Sequence, residues 1–226
     1  MVLHVLYEDN HIIAINKQNN IIVQSDPSGD MPLDDMVKQY IKEKYNKPGD
    51  VFLGVVHRID RPVSGIVLFA RTSKALTRLN EQFKQKEIKK TYWAIVKNRP
   101  ATESAILKHV IVRDTQKNKS FAYDKPQNDG KDASLAYILK ASSENYHLLE
   151  IDLHTGRHHQ IRCQLAKINC PIKGDLKYGF ARSNPDGGIS LHARSVLFMH
   201  PVTKEKISII APPPADNLWK DFLKMV

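Results

Sequence analysis

The sequence predicts an α+β fold with a mixed, largely antiparallel central sheet and flanking helices. Short apolar, β-branched segments outnumber helical stripes, and they do not alternate regularly with helices as a parallel α/β sheet requires. At 226 residues, with 42% hydrophobic and 26% charged residues, the chain has ordinary globular usage. That length supports a substantial core in one large domain or two small ones.

The elements follow in order. Val2–Tyr7, Ile12–Ile15 and Ile21–Val23 read as strands separated by the polar turns Asp9-Asn10 and Asn19-Asn20. Leu33, Met36, Val37, Tyr40 and Ile41 form one stripe of a helix over 33–45, with Asp34 and Asp35 in its first turn and Pro48-Gly49 closing it. The unbroken run Gly65–Ala70 reads as a strand buried on both faces. Ser73 offers an N-cap to a helix bearing Leu76, Leu79 and Phe83, and Thr91–Val96 returns to strand composition.

Ala105–Val112, Ala133–Leu139 and Tyr146–Leu153 are further β-rich segments. Residues 117–131, with Pro126, Asn128, Asp129 and Gly130, read as a loop or hairpin tip. A helix beginning after Gly156 carries Ile161, Leu165 and Ile168. The tail supplies a strand over Lys206–Ile210, a stop at Pro212-Pro213-Pro214 and a closing helix around Leu218–Leu223. No internal repeat or heptad run is present.

The charge balance narrows the function. Lys+Arg 34 against Asp+Glu 24 gives +10, which attracts polyanions: nucleic acid, phosphate ligands or an anionic membrane surface. Residues 57–99 alone hold 11 basic and 3 acidic residues, net +8, whereas residues 1–56 are net −3. A merely solvating surface mixes both signs, so this block reads as phosphate-facing. No stretch approaches the ~20 apolar residues of a membrane helix, and the N-terminus meets Glu8 before any secretory core forms. Cys163 and Cys170 are too few for a disulfide framework and lack zinc-site spacing. They read as packing thiols in a reducing cytosol, which places the protein in the cytoplasm.

Three stretches carry possible chemistry. In His57-Arg58-Ile59-Asp60-Arg61-Pro62-Val63-Ser64-Gly65, a cluster of charge ends in chain-breaking residues before the buried strand, the setting in which reactive loops are held rigid. Asp60 stands between two arginines, whose positive charge favours a carboxylate suited to nucleophile or general base. Taken alone, the pair also fits a salt bridge closing a turn. In Thr155-Gly156-Arg157-His158-His159-Gln160-Ile161-Arg162, a helix starting after Gly156 sets Arg157, His158 and His159 beside free N–H groups, an anion site. No carboxylate completes a metal set there, so no metal is expected. In Lys89-Lys90-Thr91-Tyr92-Trp93-Ala94, lysines lead into strand aromatics, as in base-stacking surfaces. Tyr92 and Trp93 fall on opposite faces, so one at most serves a site.

Together these stretches resemble the RluA-type pseudouridine synthases. The family's H-R-L-D-x-x-T-S-G appears as His57 to Gly65, its K-x-Y-x-A as Lys90 to Ala94, and its T-G-R-x-H-Q-I-R whole as Thr155 to Arg162. Further matches lie at Pro171-Ile172-Lys173-Gly174-Asp175, Tyr178-Gly179, Leu191-His192-Ala193 and His200-Pro201, so the resemblance spans about residues 5–211 in order. Val63 replaces the usual Thr and loses a hydroxyl. Lys17-Gln18-Asn19-Asn20 replaces Lys-Pro-x-Gly, with Asn tolerating the left-handed turn.

The resemblance implies a pseudouridine synthase fold with an active-site cleft, and isomerisation of uridine in ribosomal or transfer RNA without cofactor. It assigns Asp60 as the essential carboxylate, Arg162 as its ion-pair partner and Tyr92 as the residue stacking on the flipped base. Arg58 is implied to enter the gap in the RNA, and His57, Arg61, Lys90, Arg157 and His158 to contact it. The reading is a single catalytic domain over 1–226 without a separate N-terminal RNA-binding domain, monomeric and without an obligatory protein partner or membrane. Two rivals are a non-catalytic RNA-binding or ribosome-assembly protein on the same fold, and a phosphate-handling enzyme using Gly156 to His159 as its cradle.

Overall fold

The structure, a computed structural model, describes residues 3–226; Val2, the first residue of the expected opening strand, lies outside them. In chain order the elements are β1 (Val5–Glu8), β2 (Ile12–Lys17), α1 (Leu33–Lys44), β3 (Gly54–Val55), β4 (Ser64–Ala70), α2 (Ser73–Lys84), β5 (Lys89–Val96), β6 (Ser104–Asp114), β7 (Lys119–Tyr123), β8 (Lys131–Ser142), β9 (His147–Leu153), α3 (Gln160–Lys167), a 3₁₀ turn Leu176–Tyr178, β10 (Leu191–Met199), β11 (Lys206–Ile210) and α4 (Asn217–Leu223). They form two compact units. One runs through Ile88 and resumes over Ala193–Pro213; the other comprises Lys89–His192 and Pro214–Val226.

In the first unit the strand order is β1-β2-β4-β10, with β11 on β10 and β3 on β4. β1–β2, β2–β4, β3–β4 and β10–β11 pair antiparallel. β4 is buried at all seven positions, as its unbroken apolar run demands. Its Ile66, Leu68 and Ala70 pack with Ile12, Ala14, Val196, Phe198 and Ile209, and α2 lays Ala75 and Leu79 on the same core. The cap of α2 is Thr72 and not Ser73: the Ala75 N–H donates to Thr72 Oγ1 at 3.2 Å, and Ser73 is the first helical residue. Ile21–Val23 forms no strand. Pro32 at the start of α1 has no side-chain acceptor, so the N–H groups of Leu33 and Asp34 donate to the carbonyls of Ile22 and Val23 instead.

The second unit orders its strands β5-β9-β8-β6-β7, all antiparallel. Trp93, Ile95 and Leu148 pack with Trp219 and Phe222 of α4, while Ile111 and Ala133 pack with Cys163 and Tyr178. β7 lies inside the segment expected to be a loop or hairpin tip; five residues pair with β6 between turns at 115–118 and 124–130. Helix α3 starts at Gln160, later than expected. His159 precedes it in left-handed conformation, φ 52°, so Arg157, His158 and His159 stand outside its first turn.

Gly65 opens β4 at φ +111°, and a Cβ there would collide with the backbone N and O of Ala193. Gly65→Ala combines left-handed strain with overpacking against backbone that cannot yield, a loss of about 3 kcal/mol or more. Chemical denaturation is expected to show a lower midpoint of that order; an unchanged midpoint would contradict the close approach.

Candidate active site

In the first unit the 57–63 loop is tied down from beneath. Lys17 ends β2 with its side chain pointing inward at 1% exposure. Its Nζ donates to the carbonyls of Gln18 (3.0 Å), Ile21 (2.8 Å) and Arg61 (3.1 Å), using all three hydrogens of an ammonium. The Asn20 N–H also donates to Arg61 O at 2.8 Å, and Asn20 takes φ 67°, the left-handed geometry expected of Asn in place of Gly. Burial pushes the Lys17 amine down to about 7, with the Asp60 carboxylate working against that shift. Within the loop the Val63 N–H donates to Asp60 O at 3.0 Å.

The expected site residues of this loop fare differently. Asp60 is half-buried and Arg58 is exposed. His57 Nε2 accepts from the Leu68 N–H at 3.1 Å and its ring stacks on Phe83, so its imidazole anchors the loop to β4. Arg61 directs its carbonyl inward, while its guanidinium pairs with Asp30 at 2.6 Å. Val63, in place of a hydroxyl residue, is buried.

In the second unit β5 separates its two aromatics as its alternation requires. Trp93 joins the core and donates from Nε1 to Glu150 at 3.0 Å, while Tyr92, on the other face, is 8% exposed. Lys90 is half-buried and its Nζ would lie 3.8 Å from a Cβ on Gly156, so the strand and the Thr155–Arg162 stretch meet there. Burial pushes the Lys90 amine down, and Asp152 opposes it.

The Thr155–Arg157 loop is shaped by Gln160. Its Oε1 accepts from the Thr155 hydroxyl (2.8 Å) and the Arg157 N–H (3.0 Å), while Nε2 donates to Ser134 O (3.1 Å). The Arg157 N–H is therefore occupied, and its side chain donates from Nε to Asp132 O at 3.0 Å. An anion cradle at this point loses both its helix start and that N–H. His158 bonds through Nδ1 to Ser120 Oγ at 2.8 Å and stacks on His159 at 3.8 Å.

Arg162 lies one helical turn inward, its side chain 6% exposed. It is gripped bidentately by Asp175, Nε to Oδ2 at 2.7 Å and Nη2 to Oδ1 at 2.9 Å, and sits 5.0 Å from the Tyr178 ring centre. The Tyr178 hydroxyl accepts from the Ser120 N–H at 2.8 Å and shares a second hydrogen bond with His159 Nδ1 at 2.9 Å. Burial first, then the Arg162 charge, hold the His159 imidazole neutral, down to about 2. Burial raises the Tyr178 hydroxyl.

Sequence reasoning named neither Lys17 nor Asp175 as site residues, though both stand in stretches it quoted. The available signals were a lysine ending an apolar strand before a polar turn, and an acid following Lys173-Gly174. Among the described residues no group of three or more His, Cys, Asp or Glu side chains is placed to hold a metal, and both cysteines are buried free thiols.

Comparison with known proteins agrees with these motifs. A family model described as RNA pseudouridylate synthase matches residues 11–167. Ribosomal large subunit pseudouridine synthase D of Xanthomonas campestris pv. campestris is 33% identical, over 95% of this chain and 67% of that protein. The tRNA pseudouridine synthase C of Pasteurella multocida is 31% identical over 100% of this chain and 96% of its own. Among solved structures, human RNA pseudouridylate synthase domain containing 4 aligns with TM-score 0.79 at 21% identity, covering 98% of this chain and 92% of that one, a likeness of fold.

Two stability experiments test the buried cations. The Lys17 amine titrates near 7 when folded and near 10.5 when unfolded, so between these values the unfolded chain binds the extra proton and stability rises with pH. Lys17→Met is expected to remove that rise and to lower stability overall by about 1–3 kcal/mol for each carbonyl left without a donor; a stability profile unchanged in shape would refute the assignment. Asp175→Ala removes the bidentate partner of a buried guanidinium and is expected to lower stability by about 3–5 kcal/mol in denaturant titration.

Proposed function

Since this chain belongs to the RNA pseudouridylate synthase family, and is thus an isomerase that converts uridine in RNA to pseudouridine, we propose that Asp60 is its essential carboxylate. The reaction breaks the N1–C1′ bond, turns the uracil, joins C5 to C1′, loses the C5 proton to solvent and gains one at N1. Product and substrate are isomers, so no group donor or oxidant is needed. The carboxylate acts at the sugar, by attack on C1′ or by removal of a proton from C2′, and either role needs it ionised and fixed. The observation that carries this assignment is the anchoring of its loop. Lys17, Asn20 and His57 hold the chain on both sides of Asp60, so little of its position is left to thermal averaging.

Tyr92 and Arg162 take the stacking and cationic roles in the same reaction. Asp175 supports the Arg162 assignment by fixing its guanidinium. Arg58, exposed on the anchored loop, is the residue that enters the RNA when the target base leaves its stack, a step costing a few kcal/mol. Arg61, Lys90, Arg157 and His158 contribute contacts to the RNA, and His57 acts mainly through the loop it anchors. The substrate is structured ribosomal or transfer RNA, the two classes named by the relatives above. Residues 1–226 work as one catalytic domain, a monomer in the cytoplasm; among the described residues no helix is long and apolar enough to cross a membrane.

Asp60→Asn is expected to bind RNA like the wild type and to lose turnover by about 10²–10⁴-fold, the range for removing a positioned acid–base group. Tritium release from [5-³H]uridine RNA measures it, and release at the wild-type rate would end the assignment.

A further inference from the structure

The tip of the β6–β7 hairpin gathers basic side chains, three of which have no carboxylate within ion-pair distance among the described residues. Lys177, from the 3₁₀ turn, donates from Nζ to the Asn118 carbonyl at the tip (3.0 Å). Lys119 holds its Nζ 5.2 Å from the Tyr178 ring centre and 5.5 Å from that of Phe121. Arg113 is exposed opposite Ser120 in the ladder and, like Lys177, lies within electrostatic reach of His159.

Their neighbours are treated differently. Lys117 pairs with Asp114, Lys167 with Asp124 and Arg162 with Asp175, whereas among the described residues Arg113, Lys119 and Lys177 have no carboxylate within ion-pair distance. Lys119 and Lys177 meet at one turn, Lys119 over the Tyr178 ring and Lys177 next to Tyr178 in the chain and bonded to Asn118, while Arg113 stands on the Ser120 face of the same hairpin. Such an arrangement has its counter-charge outside the chain.

The strand beside them supplies a second feature. Lys119, Phe121 and Tyr123 alternate along β7 and share one face, with Phe121 half-buried and Tyr123 37% exposed. Cations at the end of a row of accessible aromatic rings suit a single-stranded nucleic acid, whose phosphates and bases repeat along the strand.

We propose that this hairpin is an RNA-binding surface, on which Arg113, Lys119 and Lys177 hold backbone phosphates of the substrate and Tyr123 stacks on an unpaired base. It deepens the reading of the chain as an RNA pseudouridine synthase and rests on it for the identity of the polyanion. The surface is contiguous with the Arg162 site, since Lys119 and Arg162 both lie against the Tyr178 ring. Strand held here is therefore RNA flanking the target uridine.

The test uses the full chain with a labelled single-stranded RNA of mixed sequence and with unfractionated transfer RNA, titrated over a series of salt concentrations. The triple variant Arg113→Gln, Lys119→Gln, Lys177→Gln is expected to bind at least about tenfold more weakly at low salt. Its plot of log affinity against log salt is expected to be shallower by about 2, at roughly 0.7 per phosphate contact. Tyr123→Ala is expected to weaken binding about tenfold with the slope unchanged, as loss of stacking does. The control Lys42→Gln, Lys47→Gln, Lys220→Gln removes the same charge elsewhere and is expected to leave the slope near wild type.

Wild-type affinity and slope in the triple variant, or an equal effect of the control, overturns the proposal, including in favour of a protein partner at this face. If the triple variant does not fold, Arg113→Gln gives the same reading at about one third of the slope change, because its side chain bonds to nothing in the described residues. A wild-type protein that forms no pseudouridine while the slope change persists defeats the enzymatic reading and leaves the surface standing. Normal tritium release with no slope change does the reverse.

Discussion

An ammonium buried away from water has three hydrogens and must find three acceptors, and Lys17 finds them in two stretches of chain far apart in sequence. The carbonyls of Gln18 and Ile21 close the turn after β2, and the carbonyl of Arg61 belongs to the loop that carries Asp60. One side chain thus decides where two loops lie. It also brings its amine within electrostatic reach of the Asp60 carboxylate. An uncharged residue of the same size would fill the space and leave the carbonyls of Gln18 and Ile21 unanswered, with Arg61 keeping only the Asn20 N–H.

The second unit solves the same problem with a guanidinium. Arg162 is as deeply buried, and Asp175 meets its fork with both oxygens, which fixes the plane of the group as well as its charge. Tyr178 then joins Arg162 to the β6–β7 hairpin through its ring and its hydroxyl. Arg162, Asp175, Tyr178, His159 and Ser120 are linked in turn, each orienting the next, the condition under which a low-dielectric interior makes polar groups rigid instead of costly.

Much of this was legible from residue order. The apolar run of β4, the stripe of α1 and the composition of β5, β8 and β9 report burial and period directly, and the structure contains them. What failed was local ambiguity settled by partners. Ile21–Val23 looks like a strand but serves α1, because Pro32 cannot cap it. Lys119–Tyr123 reads as part of a loop or hairpin tip but forms a strand of its own, because β6 extends far enough to receive it. Charged and aromatic residues such as Asp60, Tyr92 and Arg162 could be singled out within the motifs. The positioning roles of Lys17, Gln160 and Asp175 could not, because their partners are backbone carbonyls or distant groups whose positions exist only once the chain has folded.

The first unit is interrupted by the second, and that order matters during synthesis. Val196, Phe198 and Ile209 belong to the core begun by Ile12 and Ile66, while Trp219 and Phe222 seal the core begun by Trp93. A ribosome reading this message emits an unfinished first sheet, then the whole of the second, before the residues that close either core. Neither core is complete until the last tenth or so of the chain is made, and contacts so distant in sequence are slow to form. The nascent protein therefore carries two open apolar surfaces at once, the state in which chaperones bind and misassembly begins.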